Sequence, residues 1–110
     1  MKIIIKRPDE PVGHYEEIPN ELQALQKIVE GHIEAVCIEN GVILIVNEEG
    51  KMRNLPVNFC TKYDIIVGTA IVCGQMGDEF DDCPISLESW QTILSCWGNL
   101  INQRAKGVEA

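Results

Sequence analysis

The chain has 110 residues, nine Lys and Arg against seventeen Asp and Glu for a formal charge of -8, and a hydrophobic content of 45%. That size suits one domain with its own core, and the acidic balance disfavours direct nucleic-acid binding, which needs clustered Lys and Arg to neutralise phosphates. No apolar run approaches the roughly 20 residues that cross a bilayer, and MKIIIKRPDE has too short an apolar centre for a secretory signal, so the expectation is a cytoplasmic protein with no membrane partner.

Lys2 to Lys6, KIIIK, reads as a short strand ended by Pro8 and Pro11, and His14 to Ile18 returns as a second strand. Pro19 and Asn20 introduce a helix, with Asn20 as its expected N-cap and Gln23 placed to reach back. Leu22, Leu25, Ile28 and Val29 keep helical spacing, and Gly31 is the expected left-handed stop. From Gly31 to Asn58 lie two apolar strand candidates, HIEAVCIE and VILIV, joined by Asn40 and Gly41, the preferred pair for a two-residue hairpin turn. The rest of the chain is expected to cover this hairpin.

Asn47 to Lys51, NEEGK, is a turn in which Gly50 is free to take positive φ, and Met52 to Leu55 pairs briefly before Pro56. VNFCTKY is ambiguous. Asp64 to Gly74, DIIVGTAIVCG, is expected as one buried central strand, with Gly68 marking a bulge or a close approach. Gln75 to Pro84 is expected as an acidic loop. Ser86 then caps a helix whose Leu87, Trp90, Leu94, Trp97 and Ile101 recur every three or four residues, with Ile93 and Leu100 widening the stripe. A face that wide packs on the sheet or meets a partner subunit, so a homo-oligomer through Trp90 and Trp97 is admitted. Gly98 inside the helix points to a close contact.

The chemistry of turnover is sparse. His14 and His32 have no neighbour at ligand spacing, there is no phosphate-cradling glycine loop with a lysine, and Glu48 and Glu49 sit at a turn where solvation is their ordinary role. Cys37, Cys60, Cys73, Cys83 and Cys96 form no C-x-x-C pair, so neither a structural zinc nor a catalytic dyad is indicated, and reduced thiols acting as small hydrophobes are expected. The expectation is a protein that is not an enzyme and holds no cofactor or metal.

Two segments are candidates for binding. Asp78, Glu79, Asp81 and Asp82 offer an acidic surface for a basic protein partner. Lys51, Arg53, Asn54, Asn58 and Gly68 mix cations, amides and glycine in a manner suited to a small phosphorylated ligand, the cations meeting phosphate and the amides a base or sugar.

The order of pieces resembles the DUF3846 family of small proteins of phages, plasmids and other mobile elements. The matching residues are Glu17 and Ile18, Leu22 to Gly31, Ile33 to Val36, Asn47 to Lys51, Leu55 to Asn58, and Asp64 to Gly74. The resemblance covers residues 2 to 74 and transfers no catalytic residue. Its genomic setting implies a role in conflict between mobile elements and host immunity, inside the host cytoplasm.

The expected fold is a single α+β domain over 1–110: an antiparallel sheet of four to five strands, one helix after the N-terminal strands and one at the C-terminus, with a β-grasp-like arrangement admitted by the ββαββ order. The expected function is non-catalytic counter-defence, an acidic surface blocking a basic host effector such as a CRISPR nuclease. The alternative is an oligomeric sponge that sequesters a small nucleotide immune signal through the loop around Lys51, Arg53 and Asn54. A structural or regulatory partner of a mobile-element protein is the plainest possibility.

Overall fold

The computed structural model describes the backbone of residues 1–39 and 41–109 and the side chains of 1–39 and 41–99. Asn40 of the expected turn, and the Leu100 and Ile101 side chains of the expected stripe, lie outside the described residues.

The elements run β1 (Lys2–Lys6), β2 (His14–Glu17), α1 (Leu22–Val29), β3 (Ile33–Glu39), β4 (Val42–Asn47), β5 (Val57–Cys60), β6 (Ile65–Val67), β7 (Ala70–Met76), β8 (Glu79–Asp81) and α2 (Leu87–Glu109). The main sheet is ordered β2-β1-β7-β4-β3, with β8 added against the end of β7, and every pair is antiparallel. The fold is therefore α+β as expected. The β-grasp-like variant does not form, because its two central strands run parallel whereas β1 and β7 run antiparallel.

Strand alternation explains the uninterrupted apolar runs. Ile3, Ile5, Ile43, Ile45, Ile71 and Cys73 point to the face where α1 contributes Leu25 and Val29. Ile4, Leu44 and Val72 point to the other, where Trp90 of α2 and Ile66 of β6 cover them. A strand buried on both faces has no polar parity to show. Each such side chain taken from water contributes on the order of 1.5–3 kcal/mol, which makes these three strands the stable centre.

Several local expectations change. Asp64 to Gly74 is not one strand but β6 and β7, which belong to two sheets: β6 pairs with β5 in a small hairpin, and β7 lies at the centre of the main sheet. The chain switches between them at Gly68, whose φ is +74°, where an added Cβ would stand 2.9 Å from Leu55 Cδ1. Gln75 to Pro84 is not a loop but the β7–β8 hairpin, with Met76 paired to Glu79 and Gly77 at positive φ in the turn. Met52 to Leu55 turns rather than pairs, and VNFC forms β5.

Asn20 does not cap α1. Its carboxamide donates to the Phe80 carbonyl at 2.9 Å, and the cap position passes to Glu21 without a side-chain hydrogen bond. Glu30, not Gly31, takes the left-handed conformation at the helix end, with φ 62°. Glycine is needed at 31 for room, since a Cβ there would lie 2.7 Å from Asn47 Nδ2. Ser86 does cap α2, its hydroxyl accepting from the Ser89 amide at 3.0 Å. Among the described residues Gly98 makes no close contact, for a Cβ there would meet nothing within 4 Å.

The hairpin expected at the centre is central only on one side. All six residues of β4 are buried, while β3 is an outer strand with Cys37 exposed rather than packed. The two tryptophans are used inside: Trp90 is fully buried, and Trp97 stacks on Phe59 with ring centroids 5.9 Å apart. Trp90 thus leaves no side-chain surface for the self-association admitted from the sequence. No helix is long and apolar enough to cross a membrane among the described residues.

Candidate functional site

Two acidic segments far apart in sequence meet at one end of the main sheet. In the β1–β2 register Lys2 faces Glu17 and Ile3 faces Glu16, which sets both carboxylates on the outer edge. On its other flank Lys2 is tied to the segment after β8: its amide donates to Asp82 Oδ1 at 2.8 Å, and the Cys83 amide donates to the Lys2 carbonyl at 2.7 Å. The Asn20 bond to Phe80 closes the gap between β2 and β8.

The result is a carboxylate-rich end of the sheet. Glu16, Glu17, Asp78, Glu79 and Asp82 are exposed there, and Asp81 is half-buried with Oδ1 accepting from the Asp82 amide at 2.8 Å. Opposing charge is present but outnumbered: the Met1 amino group stands 3.7 Å from Glu17, His14 Nε2 lies 3.2 Å from Glu16, and Lys2 Nζ lies 4.2 Å from the centre of the Tyr15 ring. The four expected partner-binding residues are therefore brought together, and Glu16 and Glu17 join them. Sequence reasoning missed those two because β2 was read as a covering strand. The available signal was HYEE, a short strand with acids at its end.

The expected ligand-binding residues divide into two groups. Asn58 and Gly68 meet, the Asn58 carboxamide donating to the Gly68 and Lys6 carbonyls at 2.8 and 2.7 Å while its oxygen accepts from Lys6 Nζ at 2.6 Å. Lys51, Arg53 and Asn54 lie in the separate turn after β4. Lys51 pairs with Asp64, whose carboxyl that hydrogen bond and the Ile65 amide hold below its ordinary range. Arg53 donates to the Glu30 carbonyl at 2.7 Å, and Asn54 takes a left-handed φ of 53°. Asn58, Gly68 and Arg53 thus hold elements together, and Lys51 carries its own counter-ion.

A polar cluster unforeseen in the sequence surrounds Lys6, which is only 4% exposed. Its amine donates to the Glu10 carbonyl at 2.7 Å as well as to Asn58, and burial pushes its pKa down against the opposing pull of Glu10 and Asp9. Lys6, Glu10, Asn58, Phe59 and Cys60 line an open cleft of about 480 Å³. Nearby, His14 Nδ1 lies 2.7 Å from Glu10 and Nε2 lies 3.2 Å from Glu16. Both ring nitrogens face carboxylates, so the imidazolium is favoured and the pKa is raised. A histidine held in that form is a poor general base, and an amine held by neutral oxygens is a fixed strut.

The motif residues quoted above are scaffold in the same sense. Asn47 bonds the end of α1, Gly50 is buried where a Cβ would stand 2.8 Å from Val67, and Asn58 joins β1 to the small hairpin. They explain the shape, and of the acidic edge only Glu17 falls among them.

A family model described as "Domain of unknown function (DUF3846)" matches residues 1–98, and the chain belongs to that family. No curated protein and no solved structure matches.

Proposed function

We propose that this DUF3846 member is a non-catalytic binding protein of a phage or other mobile element. It inhibits a basic host effector, such as a CRISPR nuclease, by laying its acidic edge over the effector's nucleic-acid site. One observation carries this reading: Glu17 lies across Lys2 from Asp82, which accepts from the Lys2 amide, and Asn20 bonds Phe80, so carboxylates from two segments gather at one end of the sheet. Complementary fields of that kind steer association and exclude wrong partners, and they weaken over a Debye length of about 8 Å at physiological salt.

The test uses the full chain with Glu16→Gln, Glu17→Gln, Asp78→Asn and Glu79→Gln combined, leaving the anchoring Asp82 in place. Purified basic nucleases are assayed for nucleic-acid binding with and without the protein. Inhibition by the parent that falls steeply in the variant, and falls with rising salt, supports the reading. Undiminished inhibition by the variant, or none by the parent across the nucleases assayed, ends it.

The sponge reading draws on a smaller feature. Lys51, Met52 and Asp64 line a cleft of about 210 Å³ between β3 and the β5–β6 hairpin. Asp64 opposes a phosphate there, so the acidic-edge reading stands ahead of it. Mass spectrometry of small molecules released from the purified protein separates the two, since a stoichiometric nucleotide would favour the sponge.

A further inference from the structure

The two edges of the main sheet differ in kind. β2 is four residues long and carries Glu16 and Glu17, features that discourage strand addition. β3 is seven residues long, pairs only with β4 among the described residues, and presents Val36 at its middle, 38% exposed. Met52 at 85%, Tyr63 at 87% and Ile65 at 49% exposure lie in the same two clefts as Val36. Four of the eight large exposed hydrophobic side chains of the described residues thus gather at this edge, a concentration that marks an interface.

We propose that β3 pairs antiparallel with β3 of a second copy about a two-fold axis at Val36, joining two main sheets into one. The charges choose this arrangement. With Val36 opposite itself, Ala35 faces Cys37 in both copies, and Glu34 comes to the bulged Ile38 end of the other copy. A parallel, in-register pairing would set each glutamate beside its own copy, which is unfavourable.

Glu34 and Ile38 share the Val36 face, and the cleft at the Ile38 end contains Lys62. The antiparallel register therefore brings Glu34 of each copy to the Lys62 end of the other, an isologous charge pair. The bulge at Ile38, between the Cys37 and Glu39 pairings to β4, keeps the new ladder short and centred on Ala35 to Cys37. The acidic β2 edge is four strand spacings away, about 19 Å. That is roughly two Debye lengths, so the carboxylates of the β2 edge are largely screened from the contact.

Sedimentation velocity on the full chain across a concentration series tests this. The parent should dimerise, and Val36→Lys, an exposed substitution that sets two ammonium groups face to face, should weaken association by about tenfold or more. Glu34→Lys and Lys62→Glu should each weaken it, and together should restore it. Ala35→Cys sets a thiol opposite Cys37 of the second copy, and directly opposed Cα atoms about 4.5–5.5 Å apart suit a disulfide. Oxidation should then give a covalent dimer that Cys37→Ser abolishes. A monomer at every concentration, or a dimer untouched by Val36→Lys and not cross-linked by Ala35→Cys, overturns the proposal.

Discussion

The Asn47 carboxamide, on a residue only 5% exposed, donates to the Val29 carbonyl at 3.0 Å, so the last residue of a central strand closes the helix packed on its own sheet. The same nitrogen lies 3.3 Å from the Glu30 carbonyl, and the side-chain oxygen accepts from the Glu49 amide at 2.8 Å. One side chain therefore satisfies the end of α1 and begins the turn after β4. Asn47→Ala should lower stability by about 1–3 kcal/mol, because it strands a buried carbonyl. Urea unfolding checks the loss, and an unchanged midpoint would show that water replaces the carboxamide.

Helix α2 offers two substitutions of opposite sign. Gly98→Ala should stabilise by up to about 1 kcal/mol, since a Cβ there meets open space and the helix gains a better former. Ser86→Ala removes the acceptor of the Ser89 amide and should cost about 1 kcal/mol. Thermal unfolding of both variants beside the parent reads the two shifts. A destabilised Gly98→Ala would mean that the site is crowded in solution.

The His14 pair sets a pH dependence. The hydrogen bond to Glu10, reinforced by Glu16, raises the His14 pKa against the effect of burial. Its contribution to stability is therefore fully present below the ordinary histidine value of about 6.5 and is lost as pH rises through the folded-state pKa. For Glu10, burial pushes the pKa up but is outweighed by the hydrogen bonds from His14 and Arg7, so the carboxyl ends below its ordinary range. Its contribution is present above about pH 4.3 and lost in acid. Stability of the parent minus that of His14→Gln should be largest between these limits and shrink on the alkaline side. A difference that grows above pH 8 contradicts the pairing.

The thiols should react unequally. Cys96 is exposed, whereas burial pushes the Cys73 pKa up to about 12. Alkylation at pH 8 followed by mass mapping should modify Cys96 in the native protein and Cys73 only after denaturation. Rapid native labelling of Cys73 would mean that the sheet opens readily.

Much of the architecture was legible locally. KIIIK, VILIV and the run before Gly74 were readable as strands because β-branched residues without a polar parity describe burial on two faces. Ser86 was readable as a cap because its partner lies three residues away. Gly68 was noticed as special, but its role needed the tertiary partner: only the position of Leu55 shows that the chain leaves one sheet there for another. Asn20 failed as a cap because Phe80 offered its carboxamide a carbonyl that no helical periodicity encodes. At the candidate site Asp78, Glu79, Asp81 and Asp82 were visible as a run, while Glu16 and Glu17 became part of the surface only through folding.

From its own pattern the chain determined an acidic α+β domain with two helices, buried β-branched strands and no recognisable motif for turnover, since composition, alternation and capping depend on near neighbours. The tertiary structure decided which strand is central and which is an open edge, why Lys6 is buried, and that two acidic segments form one surface. Those outcomes rest on bonds between residues 18 to 80 positions apart, such as Asn47 to Val29 and Lys2 to Asp82, and spacing along the chain carries no record of such partners.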